Sequence, residues 1–333
     1  MTGEFDLIEQ LFRPMAGDAG LGLRDDAALF RPPPNMDMVL TTDALVADVH
    51  FPANAPPDMI AARLVACNAA DLAAKGAAPA GCLLTLGVGP DWDTDFLTGF
   101  AKALAARLAR FNLPLWGGDT VRAATGFVSL AAHGLVPTGE MVRRANAQPG
   151  DDVYVTGTIG DGLIGLLAVT GNLPPALSAF DQQLLAAAYA DPQPPVGLAP
   201  LLRQLAHAAI DVSDGLMADL DHICQASNVA MTVSAEAIGL SQAGRAFAES
   251  QENGLAQLVS AGDDGQLAFT APPQARDGLA QMTRQADITL RRIGQVTALP
   301  SGAAGDDKNA ARAILQGAEG AEIVMSERGF RHF

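Results

Sequence analysis

Lysine is nearly missing from this sequence: Lys75, Lys102 and Lys308 are the only three in 333 residues. The formal net charge is −16. So acidic a chain is repelled by nucleic-acid phosphates and anionic membrane surfaces, and no basic patch offsets this, so neither is an expected partner. No run of roughly 18 apolar residues occurs, which leaves no candidate membrane span. The opening MTGEFDLIEQLF places acids ahead of its first arginine, against the pattern of a secretory signal. Cys67, Cys82 and Cys224 lie far apart with no CxxC pair. Buried thiols in a reducing cytoplasm are therefore expected, rather than a zinc knuckle or a disulfide framework. Also absent are a Walker A lysine loop, the HRD and DFG motifs of protein kinases, HExxH and GxSxG. Any phosphate chemistry here draws its positive charge from something other than lysine.

What is present is apolar material, 49% of the residues, with only 17% charged. The length fits two domains. Residues 37–46 read as a strand running into a loop at Thr42-Asp43. Residues 57–76 read as a helix opened by Pro57 and stopped by Gly76 and Pro79. A buried strand (81–88), an amphipathic helix (94–112), a short strand ending in a glycine turn (113–119) and a further strand (126–136) follow. The polar stretch PTGEMVRRANAQPGD reads as a linker, giving domains 1–138 and 149–333 joined by 139–148. Strands at 152–157, 208–212, 229–233, 266–270 and 289–295, with helices among them, predict a second α/β unit. The expected class is α/β with mixed sheets.

Aspartates recur near strand and helix ends: Asp25 and Asp26, Asp43 and Asp48 with His50, Asp71, Asp119, Asp211 and Asp214, and Asp263 and Asp264. Singly, each is an ordinary cap or turn residue. Together they offer hard oxygen ligands, with Thr41 and Thr42 adding more. Carboxylates that converge need a cation such as Mg²⁺ between them. In IDVSDGLMADLDHI (210–223) a helix starting near Ser213 puts Leu216, Leu220 and Ile223 on one face. Asp211 then precedes the helix at a strand end and is the ligand candidate. Asp214 falls in the first turn, where the helix dipole also favours it. Asp219 and Asp221 read as the helix's outer face. His133, His207 and His222 read as surface or packed residues. The segment GDGLIG matches G-x-G-x-x-G through Gly160, Gly162 and Gly165, with Asp181 downstream. GNLPPALSAF, before that acid, lacks the second strand of a dinucleotide-binding unit, so the match reads as a glycine turn suited to a phosphate.

Eight segments in order, GLRDDAAL, TTDALVADVHF, NAADLAAKGAAP, WGGDT, RRANAQPGDDVYVTGTIGD, AIDVSDGLMADLDHI, AGDDGQLAF and the terminal GFRHF, resemble the thiamine-monophosphate kinase family of the AIR-synthase-like superfamily. The resemblance implies a PurM-like two-domain architecture, with an N-terminal domain whose sheet pairs with its twin in a homodimer and a C-terminal α/β domain. It implies transfer of a phosphoryl group from ATP to thiamine monophosphate, with several Mg²⁺ ions, in the cytoplasm. It implies metal ligation by Asp26, Thr41, Thr42, Asp43, Asp71, Asp119, Asp211 and Asp214, and ATP contact by Gly118, Asp119, Arg144 and Ser213. Acceptor contact falls to His50, Asp263 and the aromatic Phe330, with His332 in the same terminal motif. Asp43, Asp119 and Arg144 are the implied catalytic residues. Gly265 and Gln266 depart from the aromatic and glutamate usual after the G-[DE]-D motif, and residues 190–197 lack the usual arginines. Another acceptor within the superfamily, or a paralogue that binds without turnover, are the alternatives.

Overall fold

The computed structural model describes residues 4–175, 177–285, 288–299 and 310–331. His332, named above, lies outside them. The chain divides into two compact units. The first comprises residues 1–72, 77–141 and 190–192, and the second residues 73–76, 142–189 and 193–333. Among the described residues no helix is long and apolar enough to cross a membrane.

The first unit starts with a helical turn, α1 (Glu4–Leu7), and centres on β1 (Met36–Val46), α2 (Pro57–Ala74), β2 (Ala78–Val88), α3 (Thr94–Arg110), β3 (Leu115–Arg122) and β4 (Phe127–Pro137). Its sheet has the order β1-β4-β2-β3, antiparallel except for the β2–β3 pair. Alternation along the strands separates two faces. Val39, Leu45, Leu84, Leu86, Val128, Leu130 and Ala132 are buried on one. On α3, Asp93 caps the N-terminus through the Phe96 amide, and Leu97, Phe100, Ala101, Leu104 and Leu108 form its buried stripe. The opposite sheet face leaves Met38, Leu40, Leu83 and Val121 exposed.

Two sequence expectations fail in this sheet. Thr42-Asp43 is not a loop: Thr41, Thr42 and Asp43 pair with Ala132, Ala131 and Leu130 in mid-strand, and β1 runs on to Val46. Gly117-Gly118 is not a turn either, since β3 continues through it to Arg122. Gly118 is required instead by close approach, because a Cβ there would stand 1.9 Å from the Leu84 carbonyl oxygen. Both misreadings come from treating polar or glycine residues as strand breakers where an edge strand tolerates them.

The second unit holds β5 (Asp152–Thr156), α4 (Asp161–Thr170), α5 (Ala179–Ala190), α6 (Ala199–Leu205), β6 (Ala208–Val212), α7 (Leu216–Ser227), β7 (Ala230–Ser234), α8 (Gln242–Ser250), α9 (Gly254–Ser260), β8 (Gln266–Ala271), α10 (Arg276–Gln285), β9 (Leu290–Thr297) and β10 (Ala313–Gln316). The sheet order is β10-β7-β9-β5-β8-β6, antiparallel except for β10–β7. Strands β5 and β6 are buried at every position, which matches an apolar cluster on each side of the sheet. Helix α7 starts at Leu216, after Gly215 at φ 121°, and not near Ser213. Asp219 and Asp221 are buried rather than on an outer face.

Asp152 is fully buried under Arg276, which donates from Nε (2.6 Å) and Nη2 (2.8 Å), and Arg292, which donates from Nη1 (2.9 Å). The Arg276 hydrogen bond, followed by that of Arg292, outweighs burial and holds this carboxyl below its ordinary 3.8. A depressed folded value means the pairing stabilises above the unfolded value and is lost as pH falls through the folded one. Asp152→Asn is expected to melt several degrees lower at pH 7, with the gap closing below about pH 4. Melting curves across pH 3–7 check this, and a gap independent of pH would show that charge is not the cause.

Candidate active site

Each unit carries a cluster of the sequence-predicted residues. In the first, the pleat of β1 turns Thr41 and Asp43 toward α2. The Thr41 hydroxyl donates to Asp71 on that helix. Cys67, one turn before Asp71, feels both carboxylates. Burial pushes its thiol well above its ordinary value, and Asp43 and then Asp71 add to the shift. Thr41, Asp43 and Asp71 thus form one group of hard oxygen donors. His50 follows at the end of β1, where its Nδ1 accepts from the Val46 amide at 3.1 Å. That bond fixes the neutral tautomer with its proton on Nε2.

The same pleat excludes Thr42 from this group. It shares a row with Ala131, Leu83 and Gly117 on the exposed face, and Asp119 pairs with Thr85 on that face too. Asp43 and Asp119 lie on opposite faces and three strand spacings apart, about 14 Å. Within one chain they cannot ligate a single ion. Asp25 and Asp26 are exposed beyond the turn at Asp18–Leu23, a turn that packs along β3. Gly118 accompanies Asp119 on that strand.

In the second unit a three-way junction is built. Asp219 accepts from the amides of Ser213 (3.1 Å) and Asp214 (3.2 Å), setting the loop ahead of α7. The Ser213 carbonyl accepts from the Asp263 amide (3.0 Å), and the Asp214 carbonyl accepts from the Phe330 amide (2.9 Å). Asp263 sits at φ 70°, an uncommon conformation for a non-glycine residue. Ser213, Asp214, Asp263 and Phe330 are thereby joined, while Asp211 is buried at the end of β6 just before them. Phe330 is 51% exposed although its backbone is tied down.

Sequence reasoning missed two groups here. Ligand atoms of Asp214, Asp219 and His222 lie within 4.8 Å of one another. Burial, reinforced by Asp214, pushes Asp219 up to about 7, and Arg144 opposes the rise. The exposed Arg144 is therefore within electrostatic reach of this loop, and its carbonyl accepts from the Ser227 hydroxyl at 2.8 Å. The three-residue spacing of Asp219 and His222, one helical face, was the available signal. The other concerns Asp264, grouped in the sequence with the acidic turns but given no structural partner. Its carboxylate accepts from the amides of Gly160 (2.9 Å) and Gly162 (3.0 Å), at the head of α4. The GDGLIG turn does meet an oxygen acceptor, but the acceptor is this side chain, which occupies the place expected for a phosphate. Burial pushes Asp264 up to about 8 against the pull of those amides.

Residues 24–136 match the AIR synthase related protein N-terminal domain, and residues 148–307 its C-terminal domain. The thiamine-monophosphate kinase of Caulobacter vibrioides is 39% identical over 298 residues, 88% of this chain and 83% of that one. The chain belongs to the thiamine-monophosphate kinase family. The solved family member from Stenotrophomonas maltophilia superposes with a TM-score of 0.79 at 38% identity, covering 89% of this chain and 94% of that one. The AaThiL complex with AMPPCP and TMP shares the fold, with a TM-score of 0.76 at 24% identity over 99% of this chain and 97% of that one. Against the family's usual motif, Gln266 has a structural use here: its Oε1 accepts from the Thr156 hydroxyl at 2.7 Å.

Asp264→Ala leaves the Gly160 and Gly162 amides without their acceptor, at a cost of about 1–3 kcal/mol. Urea denaturation is expected to show a lower midpoint at unchanged slope. An unshifted midpoint would mean that water replaces the carboxylate without loss.

Proposed function

We propose that this chain is a thiamine-monophosphate kinase that transfers the γ-phosphoryl group of ATP to thiamine monophosphate, releasing thiamine diphosphate and ADP. The observation that carries this reading is the second-unit junction. It ties a candidate nucleotide contact (Ser213), a candidate metal ligand (Asp214) and two candidate acceptor contacts (Asp263 and Phe330) into one hydrogen-bonded unit. The acceptor is a phosphate oxygen that is already ionised near neutral pH, so no strong general base is required. The difficulty is to bring two polyanions together and to stabilise the charge on the group in transfer.

The donor sets fit Mg²⁺. Thr41, Asp43 and Asp71 present hard oxygens at one place, and in the other unit Asp214 lies within 4.8 Å of Asp219 and His222, with Asp211 preceding them on β6. Bound there, magnesium supplies charge neutralisation and in-line alignment of the phosphates. In the second unit Arg144 adds a fixed cation for the nucleotide phosphates together with Ser213, and in the first unit Gly118 and Asp119 are further proposed nucleotide contacts. His50 offers an Nε2 proton to the acceptor, and Phe330 offers an apolar surface for its ring. Residues 139–148 serve as the linker between domains 1–138 and 149–333.

The chain is also proposed to act as a homodimer in the cytoplasm. The exposed sheet face with Met38, Leu40, Leu83 and Val121 is the surface a second copy would cover. Thr42 and Asp119 stand on that same face, and Asp26 follows a turn packed at its β3 edge. Their roles as ligands therefore depend on what covers it. Leu40→Glu is expected to yield monomers in sedimentation velocity, and a variant that remains dimeric would place the interface elsewhere.

Incubation with ATP, Mg²⁺ and thiamine monophosphate is expected to produce thiamine diphosphate, with turnover lost on chelation. Asp43→Asn should lower turnover by at least about 100-fold at an unchanged melting temperature. Tight binding of thiamine monophosphate without product would favour a binding module, and wild-type turnover by the variant across a Mg²⁺ titration would remove Asp43 as a ligand.

A further inference from the structure

The C-terminal segment 325–331 crosses the second unit as a strap tied at three points. At its start the Ser260 hydroxyl donates to the Glu327 carbonyl at 2.8 Å. In its middle, Arg328 grips Asp221 on α7 with both prongs, Nε to Oδ2 at 2.6 Å and Nη2 to Oδ1 at 2.7 Å. The same Nη2 donates to the Ala313 carbonyl at 2.6 Å, and the Ala313 amide donates back to Asp221 Oδ1 at 2.7 Å. The far end is held by the Phe330 amide on the Asp214 carbonyl. Between the last two ties lies Gly329, where a Cβ would stand 2.4 Å from Ala218 Cβ and 2.9 Å from the Asp214 carbonyl oxygen.

A bidentate, charge-assisted pair whose carboxylate is largely buried sets direction as well as proximity. Asp221 and Arg328 lie outside the residues assigned to metal, nucleotide or acceptor. What they orient is a backbone that ends in a fixed amide and an exposed aromatic ring. We propose that Asp221 and Arg328 are positioning residues for acceptor recognition, holding the strap so that Phe330 presents its ring to the aromatic part of the phosphorylated acceptor. The inference rests on the kinase reading above and adds to it the device that sets acceptor affinity.

The test compares Arg328→Gln, Arg328→Lys and Gly329→Ala with wild type in the full chain. Arg328→Gln is expected to raise KM for thiamine monophosphate about tenfold, with KM for ATP changed less than about twofold. Hydrogen exchange at the Phe330 amide should quicken. The lysine variant keeps the charge and loses the fork, so a partial return toward wild-type KM is expected. Gly329→Ala displaces the strap without touching the ion pair and should reproduce the KM effect. Faster exchange at Phe330 with both KM values unchanged, or equal rises in both, would overturn the proposal. Calorimetric affinity for thiamine monophosphate separates this from the kinase reading. If wild type binds it but makes no product, the kinase reading alone falls, and the affinity ratio between wild type and Arg328→Gln decides the strap's role. If wild type does not bind it, both fall.

Discussion

Three segments of the second unit are held by one kind of interaction, an aspartate withdrawn from solvent and accepting hydrogen bonds from backbone amides. Asp219 gathers the amides of Ser213 and Asp214, Asp264 those of Gly160 and Gly162, and Asp221 that of Ala313. A carboxylate costs heavily to bury and recovers that cost only when several donors meet it at once. For Asp264 and Asp221 the donors come from segments far away in sequence, so each of these two acids orders two pieces of chain together, while Asp219 fixes the loop just ahead of its own helix. The junction of Ser213, Asp214, Asp263 and Phe330 follows from that ordering. The acids proposed to bind metal rest on other acids whose task is to fold the loops.

The distribution of cations fits the same arrangement. With three lysines in the chain, the fixed positive charge is arginine, and much of it is committed to structure. Arg276 and Arg292 close over Asp152, and Arg328 is spent on Asp221. Arg144 is an exposed guanidinium within electrostatic reach of Asp219. On the magnesium-dependent reading proposed above, most of the neutralisation of the substrates falls to dissolved ions, and phosphate-binding strength then varies with metal supply rather than being fixed by side chains.

Much of the secondary structure was legible because its signals are local. The Pro57 start of α2, the stripe on α3 and the apolar runs of β5 and β6 depend on neighbours within a turn or a strand. The ordered acidic motifs made the family legible for the same reason. Several failures required a long-range partner. Thr42-Asp43 read as a loop because nothing local shows that Ala131 and Leu130 pair with it. Asp221 read as solvated because its partner, Arg328, is 107 residues away. The glycine turn at Gly160 read as a phosphate site because the acid that fills it, Asp264, is 104 residues away.

The alternation along β1 has a consequence for how the chain can change over evolutionary time. Thr41 and Asp43 face the donor cluster, while Leu40 and Thr42 face outward. Insertion or loss of a single residue upstream in the strand would exchange the two sets, placing leucine among the ligands and aspartate on the apolar surface. Two properties with no chemical relation are thereby inherited together. Drift in the length of this strand is tolerated only in steps of two.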